Sequence, residues 1–128
     1  MASATHAQGE LLAQIVPAGT AAVTLLTATE LRTEVTLILA TIHPGTAGSV
    51  DIDIFHDDSG STYGTSNLVF SVQKADNADP LIFQAQHAGS GIMMKPSGTL
   101  GAQISVAGAV TFSVYGVTET LAQRVRGL

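Results

Sequence analysis

The sequence predicts an all-β protein, an antiparallel β-sandwich of jelly-roll type with eight to nine short strands. Three observations lead there. Apolar residues recur at every second position in short runs: Val50, Ile52 and Ile54 alternate with Asp51 and Asp53, the period of a sheet with one face buried. The runs are separated by turn residues, as in His43-Pro-Gly-Thr-Ala-Gly48. Neither a long helical period nor a strand–helix alternation appears, which excludes the α/β classes. An eight-stranded barrel is the competing arrangement. The chain has no internal repeat of the kind that marks propellers or solenoids.

The elements follow in order. Residues 1–8 are small, polar and aperiodic, and are expected to form a flexible arm. The sandwich is expected over 9–118. Gly9 to Val16 reads as the first strand, with Leu11, Ala13 and Ile15 on one face. Pro17-Ala-Gly19 turns it, and Thr20 to Leu26 forms the second strand. Thr27 to Leu31 is a connector or one helical turn. Thr33 to Ile42 is a strand with Val35, Leu37 and Leu39 sharing a face, and Ser49 to His56 is the next. Asp57 to Gly64, rich in Asp, Ser and Gly, is expected to be a solvent loop.

Leu68 to Gln73 places Leu68, Phe70 and Val72 together. After a loop at Lys74 to Pro80, Leu81 to His87 is a strand with Leu81 and Phe83 inside. Ala88-Gly-Ser-Gly91 breaks the chain before a short strand at Ile92 to Lys95, and Pro96-Ser-Gly98 turns it. Leu100, Ala102, Ile104 and Val106 alternate with Gly101, Gln103 and Ser105. Ala107-Gly108 reads as a tight hairpin into Ala109 to Val117, where Val110, Phe112 and Val114 oppose Thr111, Ser113 and Tyr115. Residues 119–128 are expected to form a tail, as a docking arm or short helix.

Composition limits the function. A chain of 128 residues with no cysteine has one core and no disulfide, thiolate metal site or thiol nucleophile. Only 12% of residues are charged, against about 25% in typical domains. Ten acids face five bases, for a net charge of −5. So few cations argue against nucleic acid as a partner, since phosphate neutralisation supplies most of that affinity. With aromatics at 5%, base stacking has little to work with. No apolar run is long enough to span a bilayer and no leader precedes the domain, so no membrane partner and an unexported start are expected. Fifteen Thr and ten Ser take the place of charge, and mean hydropathy is +0.34. A domain this apolar is expected to bury part of its surface in an oligomer or a larger assembly.

The candidate chemistry is sparse. Asp51, Asp53, Asp57 and Asp58, with His56 beside them, are the densest carboxylate group and the only candidate calcium ligands, since calcium takes several hard oxygens from a flexible loop. Their spacing is not that of an EF-hand, and a solvated strand face followed by a turn explains them equally simply. His6, His43, His56 and His87 lack the spacing of a two-histidine metal motif. Gly89-Ser-Gly91 is half of a nucleophile elbow and precedes a strand, and Gly98-Thr-Leu-Gly101 lacks a phosphate-loop lysine. Glu30, Glu34 and Glu119 are scattered rather than paired as a glycosidase requires. No catalytic residue and no cofactor is therefore expected, and the protein is expected not to be an enzyme.

Two stretches carry a resemblance. Leu11-Leu-Ala-Gln-Ile-Val-Pro-Ala-Gly-Thr-Ala-Ala-Val-Thr-Leu-Leu26 is similar to the opening strands of small β-sandwich structural proteins of tailed-phage virions. Ile92 to Glu119, with its Pro96-Ser-Gly-Thr-Leu100 entry and Tyr115-Gly116 pair, resembles their closing strands. The resemblance implies a capsid decoration or cement protein, made in the host cytoplasm and located on the capsid surface of the virion. Its implied partners are further copies of itself, as a homotrimer, and the major capsid protein or another virion protein. Its terminal arms would be the contacts. The alternative is a tail, neck or fibre module that binds host-surface carbohydrate, for which Tyr63 and Tyr115 are the tyrosine candidates. No functional residue carries over, because sandwiches host many unrelated functions.

Overall fold

The computed structural model describes residues 9–46, 48–75, 81–84 and 91–119. The expected 1–8 arm, the tail beyond Glu119, the Ala88 to Ser90 break and residues 85–87 lie outside them. Among the described residues there are nine strands: β1 (Glu10–Ile15), β2 (Val23–Thr27), β3 (Arg32–Ile42), β4 (Val50–Asp57), β5 (Leu68–Ala75), β6 (Leu81–Gln84), β7 (Ile92–Met94), β8 (Thr99–Ile104) and β9 (Val110–Glu119). A single 3-10 turn at Thr65–Asn67 precedes β5.

The strands form two antiparallel sheets. One has the order β1-β9-β3-β6, with β7 also on β3. The other has the order β2-β8-β4-β5. β6 pairs with β3 from Ala40↔Leu81 to Leu37↔Gln84, and β7 resumes at Val35↔Ile92, so the two act as one interrupted strand. First then pairs with last, second with second-last, third with β6 and β7, and fourth with fifth. That is a long hairpin rolled up on itself, the jelly-roll wind. No ladder joins the two sheets among the described residues, so the sandwich stands and the barrel does not.

The core lies between the sheets. Val35, Ile38, Phe112 and Val114 from one meet Ile52, Ile54, Leu100 and Ile104 from the other, all fully buried. Burying side chains of this size stabilises by about 1.5–3 kcal/mol each. Phe70 and Phe83 close one long edge, their rings 5.2 Å apart. The inward alternations expected for β4, β8 and β9 are present.

Three alternations are corrected by β-bulges. In β5, Phe70 pairs with Ile54 and Leu68 with Phe55, so Val69 is extra, and Leu68 stands exposed on the outer face while Phe70 and Val72 pack on the core. Leu11 pairs with Tyr115 and Ala13 with Val114, so Leu12 is an extra residue in β1. Ala13 and Ile15 pack on the core, while Leu11 is half exposed on the outer face. Likewise Val35 pairs with Gly116 and Leu37 with Tyr115, which leaves Thr36 extra in β3. Val35 therefore shares the inner face with Ile38, Ala40 and Ile42, and Leu37 and Leu39 face outward. An extra residue inverts the alternation beyond it.

The expected hairpin at Ala107-Gly108 is a turn, with Ala109 N–H donating to the Val106 carbonyl at 3.3 Å. It is not a hairpin, because β8 and β9 lie in opposite sheets. The β3–β4 connection is an arch of the same kind. Both flanking strands bury an apolar face on the common core, so alternation alone cannot separate an arch from a hairpin. Thr27 to Leu31 is a connector rather than a helical turn, and its Ala28 N–H donates to the Gly98 carbonyl at 2.9 Å.

Candidate functional site

The outer face of the four-stranded sheet holds most of the residues singled out by sequence. The β4–β5 connection is exposed over much of its length, as a solvent loop is expected to be, but it is not free. It folds back over the sheet and is tied down by its own side chains. The Asp57 carboxylate accepts from the Ser59 amide at 3.1 Å and the Thr62 amide at 2.7 Å. Asn67 accepts from the Gly64 amide at 2.9 Å and donates to the Thr62 carbonyl.

These ties place Tyr63 flat on the sheet. Its ring stacks on Phe55 with centroids 5.6 Å apart and sits over Gly101, where a Cβ would come within 2.5 Å of it. Its hydroxyl donates to Thr99 Oγ1 at 2.8 Å and accepts from Thr24 Oγ1 at 2.8 Å. Thr99, buried, passes its own proton to the Gly60 carbonyl. The relay runs from β2 through the loop to β8, and the Tyr63 and Thr99 hydroxyls each both give and accept, which strengthens the chain. Tyr63 is thus part of the fold. The signal in the sequence was Gly101, a residue without a side chain at an outward strand position, which marks a close approach.

The four aspartates do not gather into one site. Asp51 and Asp53 lie mid-strand, Asp53 accepting from Ser71 Oγ at 2.7 Å. They line a shallow groove of about 340 Å³ with Thr20, Gln103, Ile104 and Ser105. Asp57 is spent on the loop amides, and Asp58 pairs with Lys95 at 2.9 Å on the surface. Among the described residues no three of His, Asp and Glu come together as a metal site. His43 Nε2 and Thr111 Oγ1 are hydrogen-bonded at 2.7 Å. His56 Nε2 is enclosed with no hydrogen-bond partner. His6 and His87 lie outside the described residues.

The Ser59 and Thr62 amides hold the Asp57 carboxyl below the usual carboxylate range, with a smaller contribution from His56. A depressed folded value means that the stabilisation is present above the unfolded value of about 3.9 and is lost as pH falls through the lower, folded one. Asp57→Asn is therefore expected to melt below wild type at pH 7, and the gap should close below about pH 4. Thermal melts of both proteins across pH 2 to 7 check this, and a gap that stays constant would remove the carboxylate from the account.

The outer face of the five-stranded sheet differs in kind. Across its middle, Leu11, Tyr115 and Leu37 stand in one row, and Gln14, Ser113, Leu39 and Ile82 in the next. Neither row contains a charge. Ile82 is 60% exposed and Leu11 50%. Tyr115, the other tyrosine candidate, is half-buried between its leucine neighbours. Among the described residues charges appear only toward one end, where Arg32 and Glu119 form a loose pair at 3.7 Å and Glu34 accepts from the Gly91 amide at 2.8 Å. Sequence reasoning missed this face, because the bulge at Thr36 decides that Leu37 and Leu39 point outward.

No helix of the described residues is long and apolar enough to cross a membrane. No family model matches the chain, and no curated protein or solved structure emerges as its relative.

Proposed function

We propose that this chain is a non-enzymatic structural protein of a tailed-phage virion, a decoration or cement domain that binds the outside of the head shell as a homotrimer. The observation that carries the reading is the division of the sandwich into one acidic, loop-covered outer face and one outer face that is uncharged across its middle and partly apolar. A domain that locks into a lattice needs a surface that can be desolvated without stranding charge. The resemblance of Leu11 to Leu26 and Ile92 to Glu119 to virion sandwich proteins supports the same role.

The test is co-sedimentation of the purified chain with empty heads assembled from tailed-phage major capsid proteins. Saturable binding at a fixed ratio to the lattice, with a higher disruption temperature for the decorated heads, is the expected result. Absence of binding to mature heads would overturn the reading. A second reading, a tail or fibre module for host carbohydrate, is favoured by one feature, the polar groove at Asp51, Asp53 and Gln103. Its aromatic candidate Tyr63 has both hydroxyl interactions committed internally. A glycan array without a hit would dispose of it.

A further inference from the structure

We infer that the outer face of the four-stranded sheet carries a binding socket for a para-substituted phenol, filled from within the chain by Tyr63, and that the segment 57–67 is the lid over it. The inference rests on no part of the virion reading. Three observations carry it.

The first is that the sheet builds the socket. Thr24, Gly101 and Phe55 stand in one row across β2, β8 and β4, and Thr99 lies on the same face of β8, one alternation away from Gly101. Gly101 makes the floor, since a Cβ there would come within 2.5 to 2.7 Å of three atoms of the ring. Phe55 supplies an aromatic surface, its ring plane 27° from that of Tyr63. Phe55 points outward and is still only 4% exposed, because the tyrosine ring lies over it.

The second is that the polar end of the socket matches a phenol hydroxyl. Thr99 Oγ1 commits its own proton to the Gly60 carbonyl, so toward the ring it can only accept. Tyr63 gives Thr99 its proton, and Thr24 Oγ1 then donates to the phenol oxygen. One donor and one acceptor converge on one point, the complement of a hydroxyl that gives one proton and accepts another. A ring without the hydroxyl would leave both threonines unpaired under its cover, and such groups are costly when buried.

The third is that the lid holds its shape without the ring. Asp57 accepts from the Ser59 and Thr62 amides, and Asn67 bonds to the Gly64 amide and the Thr62 carbonyl. None of these bonds involves Tyr63. Ser59, Ser61, Thr62, Thr65 and Ser66 are all exposed, so the ring is the main thing the lid lays on the sheet. Removing the ring leaves the socket standing under a preformed lid, and lifting the lid bares it to an external phenol.

The experiment uses the full chain and two probes, p-cresol, which is the tyrosine side chain alone, and toluene, which lacks the hydroxyl. In Tyr63→Gly, p-cresol is expected to raise the melting temperature saturably, with a dissociation constant on the order of 1 mM for a ligand of this size. Toluene should bind about tenfold more weakly. Adding Gly101→Ala to Tyr63→Gly should abolish the p-cresol shift by raising the floor. In wild type the socket is filled, and p-cresol instead captures the open lid. At about 3 mM it should speed proteolysis within 57–67 about fourfold, since the open population grows as one plus the ratio of ligand to dissociation constant. Toluene at the same concentration should leave that rate nearly unchanged. The inference is overturned if folded Tyr63→Gly shows no p-cresol shift, if toluene binds it as tightly, or if the added Gly101→Ala leaves binding intact. Should Tyr63→Gly not fold, wild type decides, and lid proteolysis that p-cresol speeds no more than toluene overturns it.

Discussion

Gly116→Ala is expected to destabilise the protein by about 4 kcal/mol, lowering the melting temperature by roughly 15 °C. A Cβ at this position would lie 2.1 Å from the Glu34 carbonyl oxygen and 3.0 Å from Leu12 Cδ1. The first contact cannot be relieved by a rotamer change, because the oxygen belongs to the backbone of β3. β9 is held on both sides, by β1 and by β3, so making room means separating ladders at the centre of a sheet. Overpacking costs about 1–3 kcal/mol where side chains can yield, and a backbone clash between central strands belongs above that range. Against a total of about 5–15 kcal/mol for a domain, little margin would remain.

The cause is the Thr36 bulge. It turns the carbonyls of Glu34 and Val35 toward their neighbours, and each is met by a glycine. Gly116 faces the first, and Gly91, whose Cβ would lie 2.2 Å from the Val35 oxygen, faces the second. Gly91 leads into β7, which among the described residues pairs with β3 alone, so that segment can shift more freely. Gly91→Ala should therefore cost less than Gly116→Ala. Urea unfolding midpoints at an unchanged slope give the order. A Gly116→Ala protein that melts within about 3 °C of wild type would mean that β9 moves away from Glu34 at little cost, and the bulge would lose its explanatory role.

The same bulge marks where the sequence stopped being legible. Alternation in β4, β8 and β9 is clean because each has one apolar face, and Val50-Asp-Ile-Asp-Ile54 permits a single phase. In β3, Val35, Leu37 and Leu39 make one series and Ile38, Ala40 and Ile42 another. Both are apolar, so either phase satisfies a buried face. The structure uses Val35 from the first and all of the second, which only an inserted residue allows. The run Leu37-Ile-Leu39 held the clue, since three consecutive apolar residues cannot all face one core. The choice of strand partners was hidden for another reason. A jelly roll joins residues far apart in the chain, as Gln14 to Ser113 does, and no local pattern encodes that choice. The anchoring of the loop over the four-stranded sheet was not legible because its anchors, Asp57 and Asn67, are also the residues that solvent turns favour.

Gly101→Ala is expected to cost about 4 kcal/mol by a different route, through displacement of Tyr63. The added Cβ would overlap the ring, with Cζ at 2.5 Å and Cε1 and Cε2 at 2.7 Å. Unlike the Glu34 carbonyl, the ring can leave. Leaving gives up its stacking on Phe55 and its cover of the sheet, worth about 1.5–3 kcal/mol. It also gives up the bonds to Thr24 and Thr99, about 1 kcal/mol each. The chain has two tyrosines and no tryptophan, so near-ultraviolet dichroism and tyrosine fluorescence report on Tyr63 against a background of Tyr115 alone. Loss of much of the near-ultraviolet signal with the far-ultraviolet strand signal retained is the expected signature, together with faster proteolysis within 57–67.

A double-mutant comparison decides whether the ring is the cause. In a Tyr63→Ala background the site above Gly101 is empty, so adding Gly101→Ala should cost close to nothing, and the coupling between the two changes should approach the full effect of Gly101→Ala alone. If Gly101→Ala costs as much without the tyrosine as with it, the glycine is required by the β8 backbone itself. The Tyr63 relay would then be an ornament of the loop, not a reason for the residue at 101.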